Sequence, residues 1–337
     1  MKVSTIITAY NLEKYISEAI DSVLKQTRPA DEIIVVDDCS SDNTANIIKS
    51  YGAKVQYLKM PVNSGGLSTT FYGLQHSSGD IATFLDGDDT WMPEKIEYVL
   101  ALFEQYENMV IVSHDYQRVT AKLEPINYQD DTQENIERIL TKTNDPVEQS
   151  ELFKESILAK LGYWGGSAYS LRKKYIDLDA FENWRRSFQY IRNTYLDLVL
   201  PTFILVNHPD VMVGYVPKKL FNYRIHTNNT SGNNIPTIEA ARKALSMGYR
   251  TTEATYGLIK DIPAYNAYAR KQELFITEYE YLEDIYCNRK MAAWKKYLQL
   301  FKQLWNWPLR IKELKRIMIA TIFGPTIFLK LKSRVSK

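Results

Sequence analysis

With 337 residues, 45% hydrophobic and 24% charged, the chain is too long for a disulfide-stapled miniprotein and too apolar for a disordered segment. It has room for one large domain with additions or for two domains. The formal charge of +2 conceals an asymmetry, because residues 294–337 hold eleven Lys/Arg against one Glu and leave the first 293 residues at −8. Cys39 and Cys287 belong to no CxxC or Cys/His cluster, which gives a disulfide framework or structural zinc no support and points to a reducing cytoplasm. The start MKVSTIITAY lacks a signal-peptide pattern, so export is not expected. The longest uncharged apolar run, Ile317–Leu329, has thirteen residues, short of the roughly 20 that a spanning helix needs.

The first hundred residues alternate strand and helix. Val3–Ala9 is a β-rich apolar run, and Leu12, Tyr15, Ile16, Ala19, Ile20, Val23 and Leu24 then recur at helical spacing behind Asn11, read as the N-cap. Glu32–Asp38 is a second strand whose four consecutive apolar residues suit a parallel sheet covered on both faces, followed by a helix closing at Gly52. A strand over Val55–Lys59, a turn at Asn63–Gly66, a helix through Leu74, a strand over Ile81–Leu85, a helix opened by Pro93 and a strand over Met109–Ser113 complete the series. Strands separated by single helices predict a doubly wound, Rossmann-like α/β sheet with its ligand crevice at the carboxyl ends of the strands.

Polar residues collect at those carboxyl ends: Thr8, Tyr10 and Asn11 after the first strand, Asp37 and Asp38 after the second, and Asp86, Asp88 and Asp89 after the fourth. Turns and helix caps use such residues routinely, so each alone has a structural reading. Three carboxylates within DGDD also repel one another unless a cation is present, and a hard oxygen-binding ion, Mg²⁺ or Mn²⁺, resolves that repulsion. An EF-hand loop is excluded by Trp91 where its glycine belongs, and no P-loop or GxGxxG sequence follows the first strand.

ITAYN, IIVVDDCSSDNT, NSGG and FLDGDD, in this order, resemble the inverting glycosyltransferases of family 2, strongly over residues 1–115 and more weakly over 160–235. The resemblance implies a GT-A fold and a nucleotide-diphosphate sugar donor, with a uridine diphosphate sugar the usual case. It implies that Thr8, Tyr10, Asn11, Asp38 and Gly66 line the donor site, with the Asp38 carboxylate facing the base. Asp86 approaches the ribose or a metal-bound water, Asp88 holds Mn²⁺ or Mg²⁺ against the diphosphate, and Arg224 and His226, from YRIH, support the leaving group and the metal. The general base that inversion requires falls on Asp197 in NTYLDLVLPTF, with Asp177, Asp179 and Glu182 as competitors. Trp164 in the YWGG loop is expected to stack on an acceptor sugar. Where relatives carry an Arg-Asn pair, this chain has Thr70 and Phe71. Residues 116–150 are expected to form an inserted loop with one short helix around Glu134–Leu140.

These readings give a catalytic unit over residues 1–235 (1–115 for the nucleotide sugar, 160–235 for the acceptor side) and a helical extension over 236–337. Tyr249, Tyr256, Tyr265, Tyr268, Phe275, Tyr279 and Tyr286 recur at helical spacing there, as expected of a core or of an oligomer contact between copies. The tail 294–337 combines Trp294, Trp305 and Trp307 with basic residues and a short apolar run, which reads as a peripheral anchor on the cytoplasmic face of the inner membrane. A solvated basic helix, docking onto the acidic body and a nucleic-acid patch are the other readings, and the apolar run argues against nucleic acid. The expected activity is transfer of a sugar, with inversion, to a lipid-linked or growing cell-surface glycan. The alternative is a non-catalytic nucleotide-sugar-binding or scaffolding protein of the same fold.

Overall fold

The computed structural model describes residues 1–127, 131–161, 165–188, 194–226, 229, 237–304 and 307–335. The chain divides into two compact units, Met1–Ile225 and His226–Lys337. The boundary expected after residue 235 lies outside the described residues.

In the first unit, β1 (Val3–Ala9), β2 (Glu32–Asp37), β3 (Gln56–Lys59) and β4 (Ile81–Asp86) are parallel and lie in the order β3-β2-β1-β4. β1 is VSTIITA and almost wholly buried, as a central strand covered on both faces requires. The connecting helices are α1 (Ile16–Leu24), α2 (Thr44–Ser50) and α3 (Gly66–His76). α1 buries Ile16, Ala19, Ile20 and Val23, a three-four spacing that lays one stripe on the sheet. Each of the Ile and Val side chains contributes roughly 1.5–3 kcal/mol by leaving water.

Beyond β4 the sheet departs from the parallel expectation. β5 (Thr90–Trp91), α4 (Lys95–Gln105), β6 (Met109–Thr120), α5 (Asp131–Lys142), α6 (Pro146–Leu158), β7 (Ser170–Arg172), α7 (Leu178–Ser187), α8 (Leu196–Asn207) and β8 (Met212–Ile225) complete the unit. The sheet order is β3-β2-β1-β4-β7-β6-β8-β5, with β7 antiparallel to β4 and β6, β5 antiparallel to β8, and β6 parallel to β8. The result is a mixed α/β sheet. Reversed β7 brings the glycine-rich segment before it to the same rim as the end of β4.

Three local expectations are corrected. Asn11 does not cap α1, which starts five residues later; it adopts left-handed backbone (φ 53°) and its side chain ties two loops together. β6 runs on to Thr120 instead of ending at Ser113. The segment 116–150 holds the expected short helix as α5, longer at both ends, and also the unexpected start of α6, where Asp145 caps the Val147 N–H, Pro146 sits in the first turn, and Phe153, Ile157 and Leu158 are buried further on.

The second unit consists of α9 (Ile238–Ile259), α10 (Asn266–Tyr286), α11 (Lys290–Gln303) and α12 (Trp307–Val335) among the described residues. Its core combines Tyr281, Leu282, Ile285 and Tyr286 of α10 with Ala293, Tyr297 and Leu300 of α11 and Ile317 and Ala320 of α12. Trp294 packs partly buried against this bundle: its indole N–H donates to Thr321 Oγ1 (3.0 Å) and its ring meets Tyr297 edge-on. Among the described residues no helix is long and apolar enough to cross a membrane.

Candidate functional site

Parallel pairing sets Thr8 beside Asp86 and Ala9 beside Asp37, so the strand-end residues of β1, β2 and β4 share one rim. The Thr8 hydroxyl donates to Asp86 Oδ1 (3.2 Å). The loops after β1 and β2 are laced together. The Asn11 N–H donates to Ser40 Oγ (2.9 Å), Asn11 Oδ1 accepts from the Ser41 N–H (2.8 Å), and the Leu12 N–H donates to Thr44 Oγ1 (2.8 Å). Tyr10 stands exposed above them.

Asp37, which ends β2, and Asp38, which follows it, both hold the local architecture. Asp37 accepts from the Ser40 N–H (2.8 Å) and the Tyr57 hydroxyl (2.9 Å). Buried Asp38 accepts from the Ser64 N–H (2.7 Å) and the Gly65 N–H (2.8 Å), fixing the turn that launches α3. Gly65 has φ 83°, which favours glycine. At Gly66 a side chain would meet open space, so the backbone there is open to a ligand.

DGDD separates into distinct roles. Asp89 is buried, accepting from the Ser167 hydroxyl (2.6 Å) and the Arg224 N–H (2.9 Å), and burial beside Asp88 and Asp86 holds its pKa well above the ordinary carboxylate value. Asp86 is crowded by surrounding protein, but water reaches its carboxylate. Desolvation, and then the charge of Asp88, raise its pKa to about 6, opposed by the Thr8 hydroxyl. Asp88 is half-buried, next to Asp86.

Ser167 is the hub that the sequence reading missed. Its hydroxyl also accepts from the Asp86 N–H (3.0 Å), and its carbonyl accepts from the Trp91 indole N–H (2.9 Å). Gly166 lets this segment approach, since a Cβ there would lie 2.9 Å from Asp86 Oδ2. The sequence signal was the small-residue run GGSA before a short strand.

Arg224, buried in β8, clamps the same loop. Its Nε–H donates to the Asp88 carbonyl (2.7 Å), its Nη1–H to the Ala121 carbonyl (2.9 Å) and its Nη2–H to Glu18 Oε2 (2.6 Å), with the guanidinium 4.8 Å from the Tyr15 ring. The structure therefore gives it a scaffold role in shaping the loop that carries Asp88.

Asp197 lies in the first turn of α8, half-buried. Desolvation, then the negative charge of Asp86, raise its pKa to about 7, while its own backbone N–H and the Lys160 ammonium pull it down. The helix N-terminus favours the charged form as well. Lys160 is itself lowered to about 7 by burial, countered by Asp197. Tyr169, fully buried, feels both Asp197 and Asp86, and its hydroxyl has no hydrogen-bond partner among the described residues. Two of the competing acids are engaged in α7: Asp177 caps it through the Ala180 N–H (2.9 Å), and Glu182 pairs with Arg185 (2.7 Å) and Arg186 (2.6 Å), while Asp179 lies exposed in its first turn.

The unusual Thr70 and Phe71 are both buried. Phe71 packs on Phe181 at 5.0 Å and lies 5.8 Å from the Arg185 guanidinium, so this position is used for core packing. Trp164 lies outside the described residues. His226 opens the second unit, its N–H donating to Asn229 Oδ1 (2.5 Å). No group of three or more His, Cys, Asp or Glu side chains forms a metal site among the described residues. The Asp86/Asp88 pair fits Mg²⁺ or Mn²⁺ of the kind bound through one or two carboxylates with substrate phosphates completing the shell.

The acids that end β2 and β4 thus share one rim of a mixed α/β sheet, and Asp197 is near enough to Asp86 to feel its charge. Residues 4–162 match the model for Glycosyl transferase family 2, and the chain carries a domain of that family. An uncharacterised glycosyltransferase of Haemophilus influenzae is 30% identical over 171 residues, 51% of this chain and 53% of that protein. The putative teichuronic acid biosynthesis glycosyltransferase TuaG of Bacillus subtilis is 37% identical over 98 residues, 28% and 39% of the respective chains. The chain thus spans about half or less of these curated relatives. In structure it is similar to Staphylococcus aureus TarS residues 1–349 in complex with UDP-GlcNAc, with a TM-score of 0.53 and 15% identity over 89% of this chain and 90% of that one.

Proposed function

We propose that the chain transfers a sugar, with inversion, from a nucleotide-diphosphate donor to a cell-surface glycan or lipid-linked acceptor. The observation that carries this reading is Asp197 held near Asp86 with its pKa at about 7, where a general base works best near neutral pH. The likeness to a fold that holds UDP-GlcNAc in TarS supports a uridine donor.

In this reading Tyr10, Thr8 and the Gly66 backbone receive the nucleoside, and Asp38 holds the turn that shapes their floor. Asp88, with Asp86, would hold Mn²⁺ or Mg²⁺, which when bound neutralises charge on the departing diphosphate. Ionised Asp197 takes the acceptor hydroxyl proton as that oxygen attacks the anomeric carbon from the face opposite the diphosphate, so the carbon–oxygen bond forms while the sugar–phosphate bond breaks. The Lys160 ammonium favours the ionised form of Asp197, against burial and the charge of Asp86. Nucleotide sugars titrated with Mn²⁺ while diphosphate release is followed test this directly. Turnover by the wild type, lost with a chelator and in Asp88→Asn and Asp197→Asn, is expected. Donor binding without turnover on any glycan acceptor would favour the non-catalytic alternative.

A further inference from the structure

We propose that the outward face of α12 is a lipid-docking surface whose occupant is an anionic membrane. Ile311, Leu314, Met318 and Ile322 recur at spacings of three and four and are all exposed, Ile322 to 65%. On the opposite side Glu313, Ile317 and Ala320 are buried, so the helix carries a second apolar stripe beyond the one its bundle uses. At Gly324 (φ 78°, ψ 172°) the helix kinks ahead of Pro325, with exposed Phe323 before the kink and Ile327 after it, while Phe328 and Leu329 are buried. α11 adds an outward row of Met291, Lys295, Leu298 and Lys302, with Met291 exposed to 85%.

Charge selects the occupant. Lys295, Lys302 and Lys315 are exposed, and the one acid between residues 294 and 337, Glu313, is buried and paired with Arg316 (2.6 Å). Nothing from that segment repels phosphate headgroups. A second copy would press two faces of the same positive sign together, and nucleic acid would leave the aliphatic stripe exposed. An apolar row flanked by lysines, on a helix that does not span, matches a helix lying in the plane of an anionic bilayer.

The proposal concerns the second unit and is read by lipid binding, so it stands or falls apart from the transfer chemistry. The full chain is floated with vesicles of phosphatidylcholine alone and of phosphatidylcholine mixed with phosphatidylglycerol. Binding to the mixed vesicles only is expected. The Met318→Ser/Ile322→Ser pair, at exposed positions, is expected to lower it at least about tenfold, and a Lys295→Gln/Lys302→Gln/Lys315→Gln triple variant to lower it and remove its salt dependence. Equal binding to neutral vesicles, or no change in either variant, overturns the proposal. So does a wild-type dimer in sedimentation that the serine variant dissolves, or capture of a duplex oligonucleotide as tight as capture of the vesicles.

Discussion

Ser167→Ala tests whether the two halves of the sheet rim are joined as described. The hydroxyl donates to Asp89 Oδ2 at 2.6 Å and accepts from the Asp86 N–H at 3.0 Å, and both Ser167 and Asp89 are almost without solvent contact. Alanine leaves a buried carboxyl oxygen and the terminal amide of β4 without that partner. A buried polar group so orphaned costs about 1–3 kcal/mol, and the amide, nearer the open end of the site, recovers part of its loss from water. A destabilisation of about 2–4 kcal/mol follows. Urea unfolding should show it as a lowered midpoint at unchanged slope, with catalytic turnover reduced because the Asp86 backbone is no longer held. Asp89→Asn in the Ser167→Ala background should cost less than the two single effects summed, since both act through one contact. A loss below about 0.5 kcal/mol would refute the hub, because that is the range of surface substitutions away from such features.

Asp88→Asn should abolish turnover while melting like the wild type, since Asp88 is only half-buried. The dependence of kcat/KM on pH should show an acid limb at about 7, because Asp197 must be deprotonated to accept a proton and its pKa lies there in the folded chain. Lys160→Met removes a positive charge that favours ionised Asp197, so the limb should move alkaline by on the order of one pH unit; an unmoved limb would detach Lys160 from the base.

The first half of the rim was legible because local sequence carries it. Val3–Ala9, Glu32–Asp37 and Ile81–Asp86 are apolar runs ending in polar residues, and parallel pairing then brings those ends together without further information. What was hidden depends on contacts distant in the chain. Ser167 meets Asp89 across 78 positions and Arg224 meets Glu18 across 206, and neither residue bears a pattern that marks such a partner. Arg224 and Asp38 read as ligand contacts from their motifs, whereas the structure shows their polar groups holding loops. The α6 helix was readable in principle: Asp145-Pro146 is a strong start signal, outweighed by the polar composition around it. The tail was read as an anchor from its basic and apolar composition, but which face of α12 is free was not legible, since apolar residues on both sides of a helix look like one hydrophobic run until burial separates them.

In the proposed mechanism Asp197 acts as the base on a donor held by the β1, β2 and β4 rim. Calorimetric titration of a nucleotide sugar with Mn²⁺ into the wild type and Asp197→Asn, paired with turnover on the same samples, tests it most directly. Equal donor affinity with turnover lowered by roughly 10² to 10⁴-fold is expected. Undiminished turnover in Asp197→Asn would contradict it.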